Sequence, residues 1–473
     1  MPYFLRPSPL KSRPNFTCQV ASKSYSQVIM WLLLFSSLSF SEELNLPDSL
    51  ALVEQENVEV HIARLESEKA HMEKLLALSR LLPAVEGNSA WLNYGEPLEA
   101  HLIGDGSEDI DCAPFDAFGL SDLCASFSDP MLLREDKVFD GSIRILYSIS
   151  ALYSIPQGYR SAILMAEAAD IQILQTKKRI QLSVIELYME ALHLQRVIQF
   201  AAETQRRLTH HKTNIQAFVD QGFVNPIEIT RLEKAMLEAQ IGQEEAESGY
   251  RLLCRQLELL VGVPVTPLPL QHQLQMGDSI SAQEHELIQI AQLQADAAAA
   301  MTKAAYGLLL PSVTLVGGQT LTSGQGPLTP TSQQYVGLSV NGTFSWGDKW
   351  VQVQKMKKDK QMAEKAVALQ ESALLVQQEA AREAWLIADK KLDVAQKQVE
   401  LSTEIRRQAE STFQQQLLTT AELLDSESEY LRAQLALAAA ESQLVIAQAR
   451  YQYATERAPF LFIDTPSQTS GEE

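Results

Sequence analysis

The chain is written twice, and this duplication limits its fold more than any other feature. Leu81-Leu82-Pro83-Ala84-Val85 returns as Leu309-Leu310-Pro311-Ser312-Val313, 228 positions later. A helix-like stretch precedes each copy at the same offset, Glu56-Asn57-Val58-Glu59-Val60 in the first and Glu284-His285-Glu286-Leu287-Ile288 in the second. A second pair, Gly222-Phe223-Val224-Asn225-Pro226-Ile227-Glu228 and Gln416-Leu417-Leu418-Thr419-Thr420-Ala421-Glu422, lies 194 positions apart. The difference of 34 residues has a home, because the region 95–140 is longer than its counterpart 325–334. A repeated sequence is a repeated structural unit. Here each unit reads as a helix, a strand-like pair with a loop, and a very long helical region with one break.

The helical regions run from about Gly158 to Gly262 and from about Asp348 to Arg457, broken near Gly222–Pro226 and Gln416–Thr420. Segments such as Ala433-Gln434-Leu435-Ala436-Leu437-Ala438-Ala439-Ala440-Glu441 hold strong helix formers and neither Gly nor Pro. About sixty helical residues make a rod of roughly 90 Å. Such a rod has no globular core to lie on, so other helices must cover its apolar stripe. Asn225-Pro226-Ile227-Glu228 and Thr419-Thr420-Ala421-Glu422 both carry the layout of a capping box, the first with a Pro at the helix start. Each break therefore reads as a hairpin turn that starts a returning helix.

Between the helices the hydrophobic period changes from 3.6 to 2. Ile143, Ile145, Tyr147, Ile149, Ala151 and Tyr153 alternate with Arg144, Ser148, Ser150 and Ser154. In the second copy Val336, Leu338, Val340, Phe344 and Trp346 alternate with polar or small residues, and Val313 with Leu315, and Val85 with Trp91, begin similar runs. These lengths are close to the ~10 residues of a membrane-spanning strand, although a strand of a soluble sandwich shows the same alternation. Four strands cannot close a barrel, so membrane insertion would require several chains to pool their strands.

Composition narrows the function. Lys+Arg 39 against Asp+Glu 59 gives a net charge of −20, which argues against nucleic-acid binding. Four cysteines are too few for a disulfide-built scaffold, and they do not give a structural zinc cluster enough ligands at finger-like spacing. Residues 1–41 contain Arg6, Lys11, Arg13 and Lys23, no acidic residue, an apolar run Val28–Phe35 and a small-residue stretch to Ser41. They read as a secretory signal, removal of which would leave the chain at −24. The alternative, a membrane anchor, needs about 20 apolar residues and the run is much shorter. The expected organisation is a signal at 1–41, a helix at 42–82, a β-hairpin with a long acidic external loop at 83–155 and a helical hairpin at 156–265. The second copy follows as a linker and helix at 266–310, a β-hairpin at 311–346 and a helical hairpin at 347–458, with a polar tail at 459–473.

Leu-Leu-Pro before a strand, then an aromatic-Ser junction into a long broken helix, twice in one chain, resembles the TolC-like outer-membrane efflux and secretion channels. The junctions are Tyr153-Ser154-Ile155-Pro156-Gln157-Gly158 and Phe344-Ser345-Trp346-Gly347-Asp348, and the resemblance covers residues about 45 to 460. It implies a mainly α fold with a membrane β-barrel: a homotrimer whose four strands per subunit form one 12-stranded barrel, continued by an α-helical tunnel across the periplasm. It also implies no catalytic activity and no cofactor. The implied partners are a periplasmic adaptor protein, an inner-membrane RND or ABC transporter, and outer-membrane lipid. The implied role is the exit duct of a tripartite efflux pump or of type I secretion in a Gram-negative bacterium.

The resemblance places the periplasmic tip and adaptor docking at the hairpin turns, Gly222, Phe223, Val224, Asn225 and Pro226 with Gln416, Leu417, Leu418 and Thr419. Glu228 and Glu422 fall on acidic positions of the tunnel constriction, and Asp425 on a second acidic ring. Three-fold symmetry would make each a ring of three carboxylates that favours cations. Glu228 and Glu422 also stand where a capping box wants Glu, so the ring and the cap are competing readings. Gln416 replaces the Gly of the first copy, and Leu418 stands where some members have an Arg that latches the tunnel, so the resemblance does not carry the latch over to the second copy.

Other residues read more simply. Cys112 and Cys124, in the acidic insertion with Asp105, Glu108, Asp109, Asp111, Asp116 and Asp122, are a disulfide candidate, with two free thiols as the alternative. Those aspartates lack EF-hand spacing. Cys254 reads as a small core residue. His210 and His211 are adjacent on a helix, make no i, i+4 metal pair, and read as solvated surface. No nucleophile elbow, phosphate loop or His-Glu-x-x-His is present. The competing overall readings are a coiled-coil scaffold of the adaptor type, which would carry a lipoyl-like or small β-barrel segment, and an exported enzyme, for which no site is visible.

Overall fold

The structure, a computed structural model, describes residues 42–100, 113–120, 131–269, 272–275, 284–326, 329–342, 347–415, 417–455 and 460–464. The signal, Cys112, Cys124, Gln416 and the junction residues Phe344–Trp346 lie outside the described residues. The first copy holds β1 (Glu42–Leu44), α1 (Leu46–Glu56), α2 (Val58–Ser79), β2 (Ala84–Asn93), β3 (Leu98–Ala100), α3 (Ala113–Asp116), β4 (Met131–Ser148), α4 (Ala151–Asp220) and α5 (Ile227–Val261). The second holds β5 (Val265–Pro267), β6 (His272–Gln275), α6 (Glu286–Ala305), β7 (Ser312–Gln325), β8 (Ser332–Asn341), α7 (Asp348–Gln414), α8 (Thr420–Thr455) and β9 (Leu461–Asp464).

The duplication is visible in the helix starts. Asn57 caps α2 by accepting from the backbone N–H groups of Glu59 and Val60, and His285, 228 positions on, caps α6 by accepting from Leu287 N. Each short helix feeds a strand, and each strand pair feeds a rod. With 70 residues in α4 and 67 in α7, the rods span about 100 Å at ~1.5 Å per residue. No helix among the described residues is long and apolar enough to cross a membrane.

The helices pack side by side. In the half nearer the strands α2 packs on α4, α4 on α6 and α6 on α7; in the far half α5 packs on α4, α4 on α8 and α8 on α7. A core around Leu46, Leu50, Val53, Ile185, Tyr188, Leu257 and Val265 joins the two halves. The Tyr188 hydroxyl lies 3.1 Å from Leu44 O and 2.9 Å from Leu268 O, and accepts from Leu268 N at 2.8 Å, so one buried side chain ties the entering chain to the linker.

The strands pair in the order β2-β4-β7-β8, antiparallel throughout, with β3 added to β4. The register puts Val85, Ile145, Gly317 and Val336 in one row, with Tyr147, Leu315 and Leu338 in the next. One face therefore carries Val85, Trp91, Ile143, Ile145, Leu315, Leu321, Val336, Leu338 and Val340, all exposed. The other carries Glu86, Asn88, Arg144, Thr314, Thr320 and Ser339, with an Arg144–Glu86 ion pair at 3.4 Å. Among the described residues β2 and β8 each have one unpaired side.

Two sequence boundaries move. The alternation read through Ile149, Ala151 and Tyr153 ends at Ser148, and Ala151 opens α4. The junction is pinned to β7, where Val313 O accepts from Ile149 N at 2.8 Å and Ser150 Oγ accepts from Val313 N at 3.0 Å. Ser150 thus ends the strand before its alternation runs out. The region 95–140 is also not all loop: Met131–Asp140 is the first half of β4, whose Lys137–Leu146 stretch pairs with the whole of β2.

Candidate functional site

The hairpin turns lie at the far end of the rods. In the first, α4 stops at a Schellman motif: Gly222, with φ +79°, donates to Val219 O at 2.9 Å, and Phe223 N donates to Phe218 O at 2.9 Å. Only glycine adopts that φ without strain, so the turn requires Gly222. Asn225 Oδ1 then accepts from Ile227 N at 3.0 Å to start α5. Glu228 does not complete the expected capping box. Its Oε1 accepts from Arg231 Nη1 at 2.8 Å, one turn ahead, and its buried Oε2 has no protein partner. With Pro226 at the helix start, an arginine three residues on offers the carboxylate a stronger, charged donor.

The second turn does form the box. Glu422 Oε2 accepts from Thr419 N at 2.9 Å and Thr419 Oγ1 at 2.8 Å, while Thr419 Oγ1 accepts from Glu422 N at 3.3 Å. The Thr419 backbone N–H, and then its hydroxyl, hold the Glu422 carboxyl below the usual range. Asp425 is exposed one turn further on. Gly222, Phe223, Asn225, Pro226, Leu417 and Thr419 are exposed, Val224 and Leu418 half-buried. The structure thus gathers the expected tip residues it describes at one end of the layer, over a core of Leu208, Ile215, Leu232, Phe413 and Leu423 shared by both hairpins. Phe218 and Phe413 meet edge-on across it, ring centres 6.2 Å apart.

Just inside the tip lies a cluster that sequence reading missed. His211, expected on the surface, is 4% exposed and its Nε2 lies 3.3 Å from Glu427 Oε1. Glu427, 2% exposed, also accepts from Arg207 Nε at 2.9 Å and lies 3.7 Å from Arg406 Nη1. Burial pushes the Glu427 carboxyl up, but the hydrogen bonds from His211 and Arg207 outweigh it and hold it below the usual range. The signal was available: Leu208, His211 and Ile215 follow helical spacing, as do Leu423 and Glu427, so both polar residues fall on buried stripes.

A second buried pair, Lys178 Nζ to Glu286 Oε1 at 2.8 Å, joins α4 to α6 beside His285, whose imidazole burial pushes down. Cys254 is half-buried beside Tyr250, and burial raises its thiol. No group of metal-ligating side chains stands out among the described residues.

Three solved structures share this arrangement. The Campylobacter jejuni CmeC outer membrane channel superposes with a TM-score of 0.72 at 14% identity, covering 93% of each chain. CusC, described in connection with transmembrane channel formation, gives 0.72 at 12% identity over 88% of this chain and 93% of its own. The outer membrane protein VceC of Vibrio cholerae gives 0.69 at 13% identity over 86% and 95%. The chain has the fold of the TolC-like outer-membrane channels. No protein-family model matches its sequence, and no curated protein sequence matches it significantly. At such identity the shared feature is the architecture, which the duplicated helix–strand–rod plan preserves.

Proposed function

We propose that three copies close head to tail into an outer-membrane channel that serves as the exit duct of a tripartite efflux pump or type I secretion system. The observation that carries this reading is that the sheet and the helical layer are open on the same two sides. β2 and β8 are the sheet's unpaired edges. Behind them α2 and α7 are the outermost helices nearer the strands, with α5 and α7 outermost in the far half.

Both sides of the helical layer carry uncovered seams. On α2, Val58, Ile62, Leu65, Met72 and Leu76 follow a heptad and are 49–66% exposed. On α7, Met362, Leu369, Val376, Ile387, Val394 and Leu401 repeat every seven residues, except for one eleven-residue step from Val376 to Ile387. That step is a four-residue stutter, which locally unwinds a coiled coil, and it falls where α7's neighbour across a closed ring would change from α2 to α5. Charge does not oppose the match: from Arg382 on, α7 carries 6 basic and 6 acidic residues, and α5 carries 4 and 7. Leu237, Ile241, Leu252 and Leu259 of α5 are exposed to meet it.

Ring closure removes the strand edges and turns the exposed apolar sheet face toward lipid, leaving the Glu86–Arg144 face inside. The rods would then enclose a tunnel across the periplasm whose tip meets a periplasmic adaptor at Gly222–Pro226 and Gln416–Thr419, with an energised RND or ABC transporter behind it. Glu228, Glu422 and Asp425 would form rings of three carboxylates at the constriction. In planar bilayers the purified protein is expected to conduct, with cation preference and block by multivalent cations that fall when all three residues are neutralised. Unchanged block and selectivity in the triple variant would remove the ring assignment, and absence of any conductance would remove the channel.

A further inference from the structure

Each copy ties the end of its returning helix to the start of its short helix with one buried side chain, and only one of the two can take up a proton. In the first copy Asn57 Nδ2 donates to Leu260 O at 2.7 Å, while its Oδ1 accepts from Glu59 N at 2.9 Å and Val60 N at 3.1 Å. In the second copy His285, 2% exposed, stands at the matching position. Its Nδ1 accepts from Leu287 N at 3.3 Å, and its Nε2 lies 3.3 Å from Tyr453 O. Leu260 and Tyr453 belong to the last turns of α5 and α8, so each bridge satisfies groups that two helix ends leave open. A backbone N–H only donates and a carbonyl only accepts. Both contacts of His285 together therefore require the neutral ring with its proton on Nε2.

We propose that His285 is an acid-sensitive pin: neutral, it caps α6 against the end of α8, and protonated, it gives up the cap and turns Nδ1 toward Glu286. The proposal does not depend on the channel reading. A proton on Nδ1 would face the Leu287 N–H, which cannot accept it. The alternative acceptor is in place, because the buried Glu286 Oε2 lies 3.8 Å from Nδ1 and makes no hydrogen bond, while Oε1 takes Lys178 Nζ of α4. From α8 the ring meets Tyr453, and from α7 the uncharged Gln378 donates to the neighbouring Ala454 O; Glu284, just before the ring, is exposed. Burial lowers the affinity of the imidazole for its second proton more than Tyr453 O and Glu286 raise it, and Lys178 lowers it further. The unfolded chain therefore takes up the proton first. Stability from this site is complete above the ordinary histidine value and is lost as pH falls through the lowered folded one. Asn57 takes up no proton, so the first copy keeps its bridge in acid. Since α6 leads into β7, the acid state loosens the second copy where its rods return to its strands.

The test uses the full protein in detergent and compares its two bridges in one sample by hydrogen exchange, corrected for the intrinsic pH dependence of the exchange reaction. The amides of Leu287, Ile288 and Gln289 at the start of α6 are expected to lose protection roughly fivefold between about pH 7.5 and about pH 5, the size of a lost helix cap. Those of Glu59 and Val60 at the start of α2 are expected to hold level. His61, the histidine nearest that start, is exposed and donates to Gln55 O whether or not it is charged. His285→Asn carries the first copy's residue into the second, retains a cap, and is expected to abolish the acid loss. Loss at both starts of the unaltered protein, or at neither, overturns the pin without recourse to a variant. An acid loss at α6 that survives His285→Asn overturns it as well.

Discussion

At the second hairpin turn Thr419 and Glu422 satisfy each other's backbone N–H groups, while at the first the corresponding Glu228 turns away to Arg231 and a glycine-based motif closes the preceding helix instead. The repeats thus reach the same chain reversal with different caps. Both entering helices close across their last turn, Phe223 N to Phe218 O and Leu417 N to Thr412 O, but the departing helix starts on Asn225 in the first copy and on the Thr419–Glu422 pair in the second. The difference follows from single residues: Gly222 supplies the left-handed backbone in the first copy, and no proline precedes Ala421-Glu422 in the second. It also separates two carboxylates that look equivalent in sequence. Glu422 is committed to its own helix, whereas Glu228 keeps one oxygen without a protein partner.

The largest effect expected at either turn comes from the core beneath both. Phe413→Ala should destabilise the far half by roughly 3 kcal/mol, because a buried aromatic leaves a cavity that both hairpins line. Chemical denaturation followed by hydrogen exchange at the tip checks this, and loss confined to α7 would show that the hairpins do not share the core. Next is the capping box. Thr419→Ala should cost roughly 1 kcal/mol, with no comparable loss for Ser or Asp at that position.

The pH dependence has a definite sign. The folded Glu422 carboxyl lies below its ordinary value, so its contribution is complete above that ordinary value and lost as pH falls through the lowered folded one. The stability difference between the unaltered protein and Glu422→Gln should therefore be present at neutral pH and vanish in acid. A difference that persists in acid would mean that the carboxylate is not the cap. The smallest effect is expected for Glu228→Gln, about 0.3 kcal/mol for an i, i+3 ion pair whose arginine is solvated. A loss as large as that of Thr419→Ala would show that Glu228 supports its helix start after all.

Much of this was legible in the sequence, and for stated reasons. Leu81–Val85 and Leu309–Val313 mark the duplication because each must carry a helix end into a strand. The alternation of Ile143, Ile145 and Tyr147 against Val336, Leu338 and Val340 marks one sheet face because strand period is fixed at two. What was not legible depended on neighbours far away in the chain. His211 is buried because Glu427, 216 positions later, lies opposite it. Ala151 and Tyr153 continue an alternating pattern, yet Ser150 bonds to Val313 on another strand and the helix begins there. Adjacent histidines and a run of alternating residues carry local signals only, and the contacts that decided both positions come from the other repeat.

The most direct measurement is the mass of the assembly purified in detergent, by native mass spectrometry with mild and with denaturing release. Three chains held together until heated are expected, since among the described residues the outer sides of β2 and β8, α2, α5 and α7 have no cover. A single chain that stays in aqueous solution without detergent, its Val336–Val340 face exposed, would contradict the account.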